Sequence, residues 1–169
     1  MPMQGALAAI CLGFAATIAS ATAVTEDTLT DVQMKALDLS LEEYHNKEHV
    51  HNAFKVASIQ ETMETEFSQG TFVRLQFALV QTTCSKNQWQ KKDCKTTKRS
   101  RRQNCITCFK IEPESLEVVS QYVDCLPEQL LRPEREEARR ERCNEVKIAR
   151  ETGLGFPGSF SFSRTKSAP

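Results

Sequence analysis

The sequence is poor in histidine and tryptophan, and it lacks the motifs that enzymes of common types carry. Of its 169 residues, three are histidine and one is tryptophan. Nothing resembles a nucleophile elbow or an activated Cys–His pair, so we expect no catalytic residue. His45 and His49 could share a helical face, but they fall where a helix is predicted to end. We therefore expect a surface cluster, with no metal and no cofactor.

Long apolar runs are also scarce, and the one at the start of the chain is too short to cross a bilayer. Residues 5–18 are almost wholly apolar or small, and two small-x-small patterns follow at residues 19–21 and 21–23. This pattern is typical of a cleaved secretory signal, although no Lys or Arg precedes the run. We predict a signal peptide at residues 1–23 and a secreted, extracellular protein; the alternative is a buried N-terminal helix.

Six of the seven cysteines lie beyond the predicted signal, which removes Cys11. In an oxidising compartment they predict three disulfides, although spacing alone leaves the connectivity open. Cys105 and Cys108 could be half of a zinc site or a redox motif, but no second pair has that spacing. We therefore favour disulfides.

The net charge of zero hides an uneven distribution. Residues 24–72 carry 10 acidic and 3 basic side chains, residues 73–110 carry 1 acidic and 10 basic, and residues 111–169 carry 11 acidic and 9 basic. A basic block within a neutral chain favours a local anionic partner, such as a glycosaminoglycan or a microbial surface. We expect no nucleic-acid partner for a secreted protein.

A capping-box pattern, Thr30 followed by Gln33, predicts that a helix begins there and runs to Lys47. Residues 73–79 alternate apolar and polar side chains, which predicts a half-buried strand. Two further β-rich runs, 105–111 and 116–125, are joined by a turn-forming stretch. Weaker strand candidates are residues 50–60 and 143–149. Residues 86–102 predict an exposed basic loop, and residues 128–142 a solvated helix fragment or loop.

These elements predict an α+β domain with one N-terminal amphipathic helix packed on a four- to five-stranded antiparallel sheet. Several stretches resemble the cystatin-like fold of cystatins and cathelicidins, and the C-terminal aromatic residues resemble those of the chemerin family. The stretches that carry the resemblance are residues 41–45, 72–77 and 81–84, the loop around Trp89, the pair Cys105 and Cys108, and residues 156–163.

The chemerin-like resemblance implies a secreted precursor of a chemoattractant and adipokine. Such a ligand activates a G-protein-coupled chemerin receptor in inflammation, chemotaxis, adipocyte differentiation and metabolism. It also implies the disulfides Cys84–Cys94, Cys105–Cys125 and Cys108–Cys143. Residues three apart on a strand face opposite sides, so Cys105 and Cys108 should indeed have different partners.

By the same resemblance, residues 24–154 form the cystatin-like domain, residues 155–163 the receptor-activating segment, and residues 164–169 a removable propeptide. Serine proteases and carboxypeptidases would expose Ser163 by cutting near Arg164 and Lys166. Gly155 stands where the family has an aromatic residue. We expect this difference to affect the potency of receptor activation and not the mode of binding. The implied receptor-binding residues are Phe156, Pro157, Gly158, Phe160, Phe162 and Ser163. Aromatic residues of this kind dominate binding energies. Alternatively, Phe160 and Phe162 alternate as an edge strand on the core.

The basic loop resembles a region with antibacterial activity in the family, but glycosaminoglycan binding needs only its charge. The candidate anion-binding residues are Lys86, Lys91, Lys92, Lys95, Lys98, Arg99, Arg101 and Arg102. The stretch 99–102 also has the R-x-x-R form that proprotein convertases cut.

Two other functions fit the fold class: inhibition of cysteine proteases, as in cystatins, and host defence, as in cathelicidins. Cystatins insert a QxVxG hairpin and a Pro-Trp pair into the protease cleft. Residues 60–64 do not form that motif, and Gln88 precedes Trp89. We therefore favour the receptor ligand, and we expect it to act as a monomer.

Overall fold

The computed structural model describes residues 24–150; the predicted signal peptide and residues 151–169 lie outside them. Short 3-10 turns precede α1, follow β2 and precede α2. The principal elements, in chain order, are α1 (Asp31–Asn46), β1 (Asn52–Phe67), β2 (Gly70–Ser85), β3 (Arg102–Ile111), β4 (Val118–Pro127) and α2 (Pro133–Ile148).

The first helix, α1, begins at the predicted capping box. The Thr30 hydroxyl accepts the Gln33 amide N–H at 3.2 Å, and the Gln33 side-chain oxygen accepts the Thr30 N–H at 3.3 Å. These two bonds satisfy amides that the first turn of a helix leaves without an intrahelical partner. The predicted helix is confirmed, and its buried stripe includes Ala36, Leu37 and Tyr44.

The four strands form one antiparallel sheet in the order β1-β2-β3-β4. The apolar residues of the alternating run in β2 are at most 1% exposed and pack in one cluster with α1. Because side chains alternate across a strand, these residues all lie on the same face. The predicted α+β arrangement, a helix packed on an antiparallel sheet, is therefore confirmed. The residues of that run are Val73, Leu75, Phe77 and Leu79.

The second helix, α2, covers the opposite face of the sheet. Its Cys143 and Val146 pack with Phe72 of β2 and Ile106 of β3. The prediction of a single helix was therefore incomplete, and the prediction of a strand at residues 143–149 was wrong. Pro133 occupies the first turn of α2, where the N–H that proline lacks would have no intrahelical partner.

The local sequence of α2 explains why it is helical. Glu134 and Glu136 lie in the first turn, where acidic side chains complement the helix dipole. The buried residues Arg139, Cys143 and Val146 are spaced by four and three positions, so they share one helical face. Apolar stripes alone do not reveal this helix, because one of its three inward positions is an arginine.

Three disulfides link these layers: Cys84–Cys94, Cys105–Cys125 and Cys108–Cys143. These are the pairs that the family resemblance implies. Cys105 packs with the α1 cluster and Cys108 with the α2 cluster, so the two cysteines do face opposite sides of β3. Within residues 24–150, no helix is both long enough and apolar enough to cross a membrane.

Candidate functional site

Two ends of the sheet carry the features of functional interest. At the turn end, the β1–β2 turn at residues 68–69, the β3–β4 turn at residues 112–117 and the C-terminus of α2 come together. Arg150, Gly70 and Pro113 line a shallow cavity of about 360 Å³ there. At the loop end, residues 86–102 connect β2 to β3. The antiparallel strands place these two regions at opposite ends of the domain.

At the turn end, the C-terminus of α2 is held by a buried lysine. The Lys110 side chain is 0% exposed, and its Nζ donates to the carbonyl oxygens of Lys147 at 3.1 Å and Ala149 at 2.8 Å. The same ammonium lies 4.9 Å from the centre of the Phe67 ring. A cation suits this place because the last carbonyls of a helix lack intrahelical partners and carry partial negative charge.

The residue after α2's C-cap, Arg150, has φ of 59°, the left-handed conformation that commonly ends helices. The chain therefore leaves the described domain at the turn end. The predicted receptor-binding residues, Phe156 to Ser163, and the predicted processing residues, Arg164 and Lys166, lie outside the described residues. They remain predictions.

At the loop end, the base of the basic loop is fixed in several places. The Cys84–Cys94 disulfide closes it, and Thr83 donates its amide N–H to the Lys95 carbonyl at 2.9 Å. Cys94 is 5% exposed, so the closure is anchored in the core. The loop is thus a defined platform and not a free connection.

The predicted anion-binding residues divide into two groups. Lys86 Nζ donates to the Lys47 carbonyl at 3.4 Å, and Arg102 pairs with Glu128 at 3.2 Å. Arg102 is exposed although it is paired, and the other six are exposed as well, so their charges can meet a ligand. Those six are Lys91, Lys92, Lys95, Lys98, Arg99 and Arg101.

The same geometry bears on the R-x-x-R stretch. Arg102 already lies in β3, opposite Val80 of β2, and Gln81 donates its amide N–H to the Arg101 carbonyl at 2.8 Å. Cleavage after Arg102 would require this part of the ladder to open, which disfavours processing of the folded protein.

Two of the loop lysines lie near acidic side chains of α1. Lys91 and Lys92 line a groove of about 600 Å³ whose opposite wall includes Asp38 and Glu42 of α1. These carboxylates reduce the local positive potential. The least compensated part of the loop is therefore the stretch from Lys95 to Arg101.

His45 is buried, so the prediction that it joins a surface cluster was wrong; His49 and His51 are exposed. Its Nδ1 lies 2.7 Å from the Leu41 carbonyl, and its Nε2 accepts the Phe54 amide N–H at 2.9 Å. Because a carbonyl only accepts, the ring must be neutral, with its proton on Nδ1. Among residues 24–150, no three His, Cys, Asp or Glu side chains are grouped to hold a metal ion.

The His45 ring also supports the basic loop, because Trp89 stacks on it with centroids 5.1 Å apart and ring planes at 10°. Burial lowers the pKa of His45 below its ordinary value of 6.5; the hydrogen bond to Leu41 opposes this shift, and the nearby Lys86 cation adds to it. Burial also raises the pKa of the adjacent Tyr44 to about 12.

Arg139 anchors the other half of α2. It is 3% exposed, donates to the Asn104 carbonyl at 2.9 Å and the Asp124 carbonyl at 3.0 Å, and pairs with the Asp124 carboxylate at 3.1 Å. Burial lowers the pKa of Arg139, and Asp124 opposes that shift. Burial of this cation is tolerable because carbonyls and a carboxylate replace its water.

Sequence reasoning missed His45, Lys110 and Arg139. A lysine within the otherwise apolar run of β3 is a visible signal for Lys110, since a cation in a buried strand requires a partner. For Arg139 and His45 the sequence offers no such signal. Their partners lie in distant elements.

The structure also bears on the alternative that the protein inhibits cysteine proteases. Residues 60–64, expected to differ from an inhibitory hairpin, lie inside β1 and pair with β2, from Glu61 opposite Gln76 to Glu64 opposite Val73. They are therefore not a loop that could enter a protease cleft. The turn between β1 and β2 comes later, at residues 68–69.

Comparison of the sequence with known proteins gives a consistent result. Retinoic acid receptor responder protein 2 of Homo sapiens is 37% identical over 138 residues, covering 80% of this chain and 84% of the relative. The Bos taurus protein of that name is 35% identical over 141 residues, covering 82% and 86%. The Mus musculus protein is 34% identical over 142 residues, covering 83% and 85%. No protein-family model matches the chain.

Two solved structures are similar over 56% of this chain. Dimeric human cystatin F has a TM-score of 0.43 and 21% identity, and the match covers 79% of that chain. Al-CPI has a TM-score of 0.44 and 14% identity, with 87% of its chain covered. The sequence relatives reach further, since each covers at least four-fifths of this chain. By that identity and coverage, the chain belongs to the family of retinoic acid receptor responder protein 2, the chemerin family.

Proposed function

We propose that this protein is a secreted, non-enzymatic precursor whose C-terminal segment activates a G-protein-coupled chemerin receptor after proteolysis. The observation that carries the proposal is the family membership, at 37% identity to the human relative. Residues 1–23 are the signal peptide, residues 24–154 the domain, residues 155–163 the activating segment and residues 164–169 the propeptide. Chemotaxis, inflammation and adipocyte differentiation follow from the receptor.

The chemistry of the segment supports this role. Phe156, Phe160 and Phe162 offer large apolar surfaces of the kind that dominate binding energy, and Pro157 with Gly158 favours a turn that lowers the ordering cost. Trypsin-like serine proteases cleave after residues such as Arg164 and Lys166. Carboxypeptidases would then remove the remaining basic residues, so that the chain ends at Ser163. A receptor pocket that accepts a free C-terminus would exclude the longer form.

Receptor signalling by three forms of the protein tests the proposal. They end at Pro169, at Ser163, and at Ser163 with Phe160→Ala and Phe162→Ala. We expect truncation at Ser163 to raise potency by at least about ten-fold, and the two Ala changes to remove it. Equal inactivity of all three forms would reject the receptor function and leave the family assignment in place.

We also propose that the basic loop binds an anionic polymer of the glycosaminoglycan class. The specific observation is that seven of its eight basic side chains are exposed on a loop whose base is fixed by Cys84–Cys94. A fixed loop loses less conformational freedom on binding than a mobile one.

Heparin affinity at several salt concentrations tests this second function. The Lys95→Gln/Lys98→Gln variant should bind several-fold more weakly, whereas Lys35→Gln/Arg140→Gln removes the same charge elsewhere and should bind like the parent. Equal losses in both variants would mean that net charge, and not the loop, governs binding. Binding to vesicles of anionic phospholipid, measured without heparin, distinguishes a membrane activity from binding to the polymer.

A further inference from the structure

Lys110 is a buried cation on a strand whose neighbouring residues are mostly apolar. Its side chain is fully buried on the α2 face of the sheet. Burying a cation is costly unless it is paired and hydrogen-bonded, and removing one partner alone leaves the other groups without their donor. A methionine of similar length could fill the same space. The contacts of the ammonium, and not the volume of the side chain, therefore distinguish this residue.

Those contacts join three elements at one point. From β3, the Lys110 ammonium reaches the carbonyls of Lys147 and Ala149 at 3.1 and 2.8 Å, and it lies over the Phe67 ring of β1. The Cys108–Cys143 disulfide attaches α2 to the same strand, but about one and a half helical turns before Ala149. The last turn of α2 is therefore held by Lys110, beyond the reach of the disulfide.

The position of that last turn limits where the rest of the chain can act. Four residues lie between Arg150 and Gly155, and the five Cα–Cα steps that join the two span at most about 18 Å when fully extended. If the last four residues of α2 unwound, each would lengthen from about 1.5 to about 3.4 Å, which adds roughly 8 Å of slack. Slack of that size is a large fraction of the available reach.

We propose that Lys110 is a positioning residue for the C-terminal segment. It fixes the point at which the chain leaves the domain, and so it fixes the distance between the domain and the receptor pocket that the segment enters. The domain would then approach the receptor with its turn end. This inference rests on the proposed function, because it assigns a role in presenting residues 155–163.

The test compares two lysine-to-methionine variants of the protein ending at Ser163. Lys110→Met removes the ammonium, whereas Lys147→Met removes one positive charge in the same helical turn and leaves its carbonyl in place. We expect Lys110→Met to raise the half-maximal concentration for receptor activation about ten-fold, and Lys147→Met to change it by less than about two-fold. Hydrogen exchange at residues 146–150 should accelerate only in Lys110→Met.

A third variant serves if Lys110→Met does not fold. Insertion of Gly-Ser directly after Arg150 leaves the core untouched and adds about 7 Å of chain, so it should reproduce the loss of potency. Potency unchanged by the insertion would overturn the inference, as would equal potency and equal exchange in the two lysine variants.

A synthetic peptide of residues 155–163 separates the two proposals. If the peptide activates the receptor while Lys110→Met is as potent as the parent, the proposed function survives and the positioning role fails. If peptide and parent are both inert, the proposed function fails, and the exchange comparison alone decides whether Lys110 holds the exit.

Discussion

The two ends of the sheet use positive charge in opposite ways. At the turn end, one buried lysine, Lys110, points inward and holds the last turn of α2. At the loop end, seven Lys and Arg side chains are exposed on a loop whose base is fixed by a disulfide and backbone hydrogen bonds. The comparison shows that burial decides whether a cation stabilises the fold or is available to a ligand. A count of charges in the sequence does not reveal this difference.

The disulfides at the two ends should differ in their contribution to stability. Cys108–Cys143 joins residues 35 positions apart, and Cys84–Cys94 joins residues 10 apart. Longer closed loops restrict the unfolded chain more, so the double Ala variants should lose roughly 4 and roughly 3 kcal/mol of unfolding free energy. Urea unfolding of each variant measures both. A larger loss at the loop end would mean that the basic loop is integral to the core.

The two halves of α2 are held by different cations, and the one nearer the loop end should matter more for stability. Arg139→Met leaves the carbonyls of Asn104 and Asp124 without their donor, which should cost about 2–3 kcal/mol. Arg142→Met, in the same helix, breaks an exposed pair with Glu145 and should change stability by less than about 0.5 kcal/mol. Thermal unfolding of both variants at neutral pH gives the comparison. Equal effects would remove Arg139 as the anchor.

The support of the loop end, which includes His45, should weaken in acid. The pKa of His45 is lower in the folded protein than its ordinary value of 6.5. The unfolded chain therefore binds a proton first as pH falls, so stability is full above about 6.5 and declines below it. The decline from one proton cannot exceed about 1.4 kcal/mol per pH unit.

Substitution of the histidines checks this dependence. His45→Gln should flatten the stability profile between about pH 6.5 and the folded pKa, and the exposed His49→Gln should leave it unchanged. Trp89 fluorescence should follow the same transition, since its ring stacks on His45. A profile that is equally steep without His45 would assign the acid sensitivity to other groups.

Local patterns predicted the elements whose signals are local. The capping box at Thr30 and the alternation in β2 depend on neighbouring residues, and both are present in the structure. The second helix was predicted only in part, as a helix fragment or loop at residues 128–142, because its inward face of Arg139, Cys143 and Val146 gives no continuous apolar stripe. This face packs against strands of the sheet that are distant from it in sequence.

The site was predictable to a similar degree. Composition and cysteine spacing located the basic loop, but they could not separate Lys86 and Arg102, which bond to distant groups, from the other six cations. The roles of His45 and Lys110 depend on contacts with Trp89 and with α2. Such contacts exist only once the elements are assembled.

The division of function between the two ends is tested most directly by measuring receptor activation and heparin affinity on the same two variants of the protein ending at Ser163. Phe160→Ala/Phe162→Ala should lose at least about thirty-fold in receptor potency with unchanged heparin affinity. Lys95→Gln/Lys98→Gln should bind heparin several-fold more weakly with unchanged potency. Independent losses would establish that the two ends act separately. If both activities fall together in either variant, the division of function between the two ends is wrong.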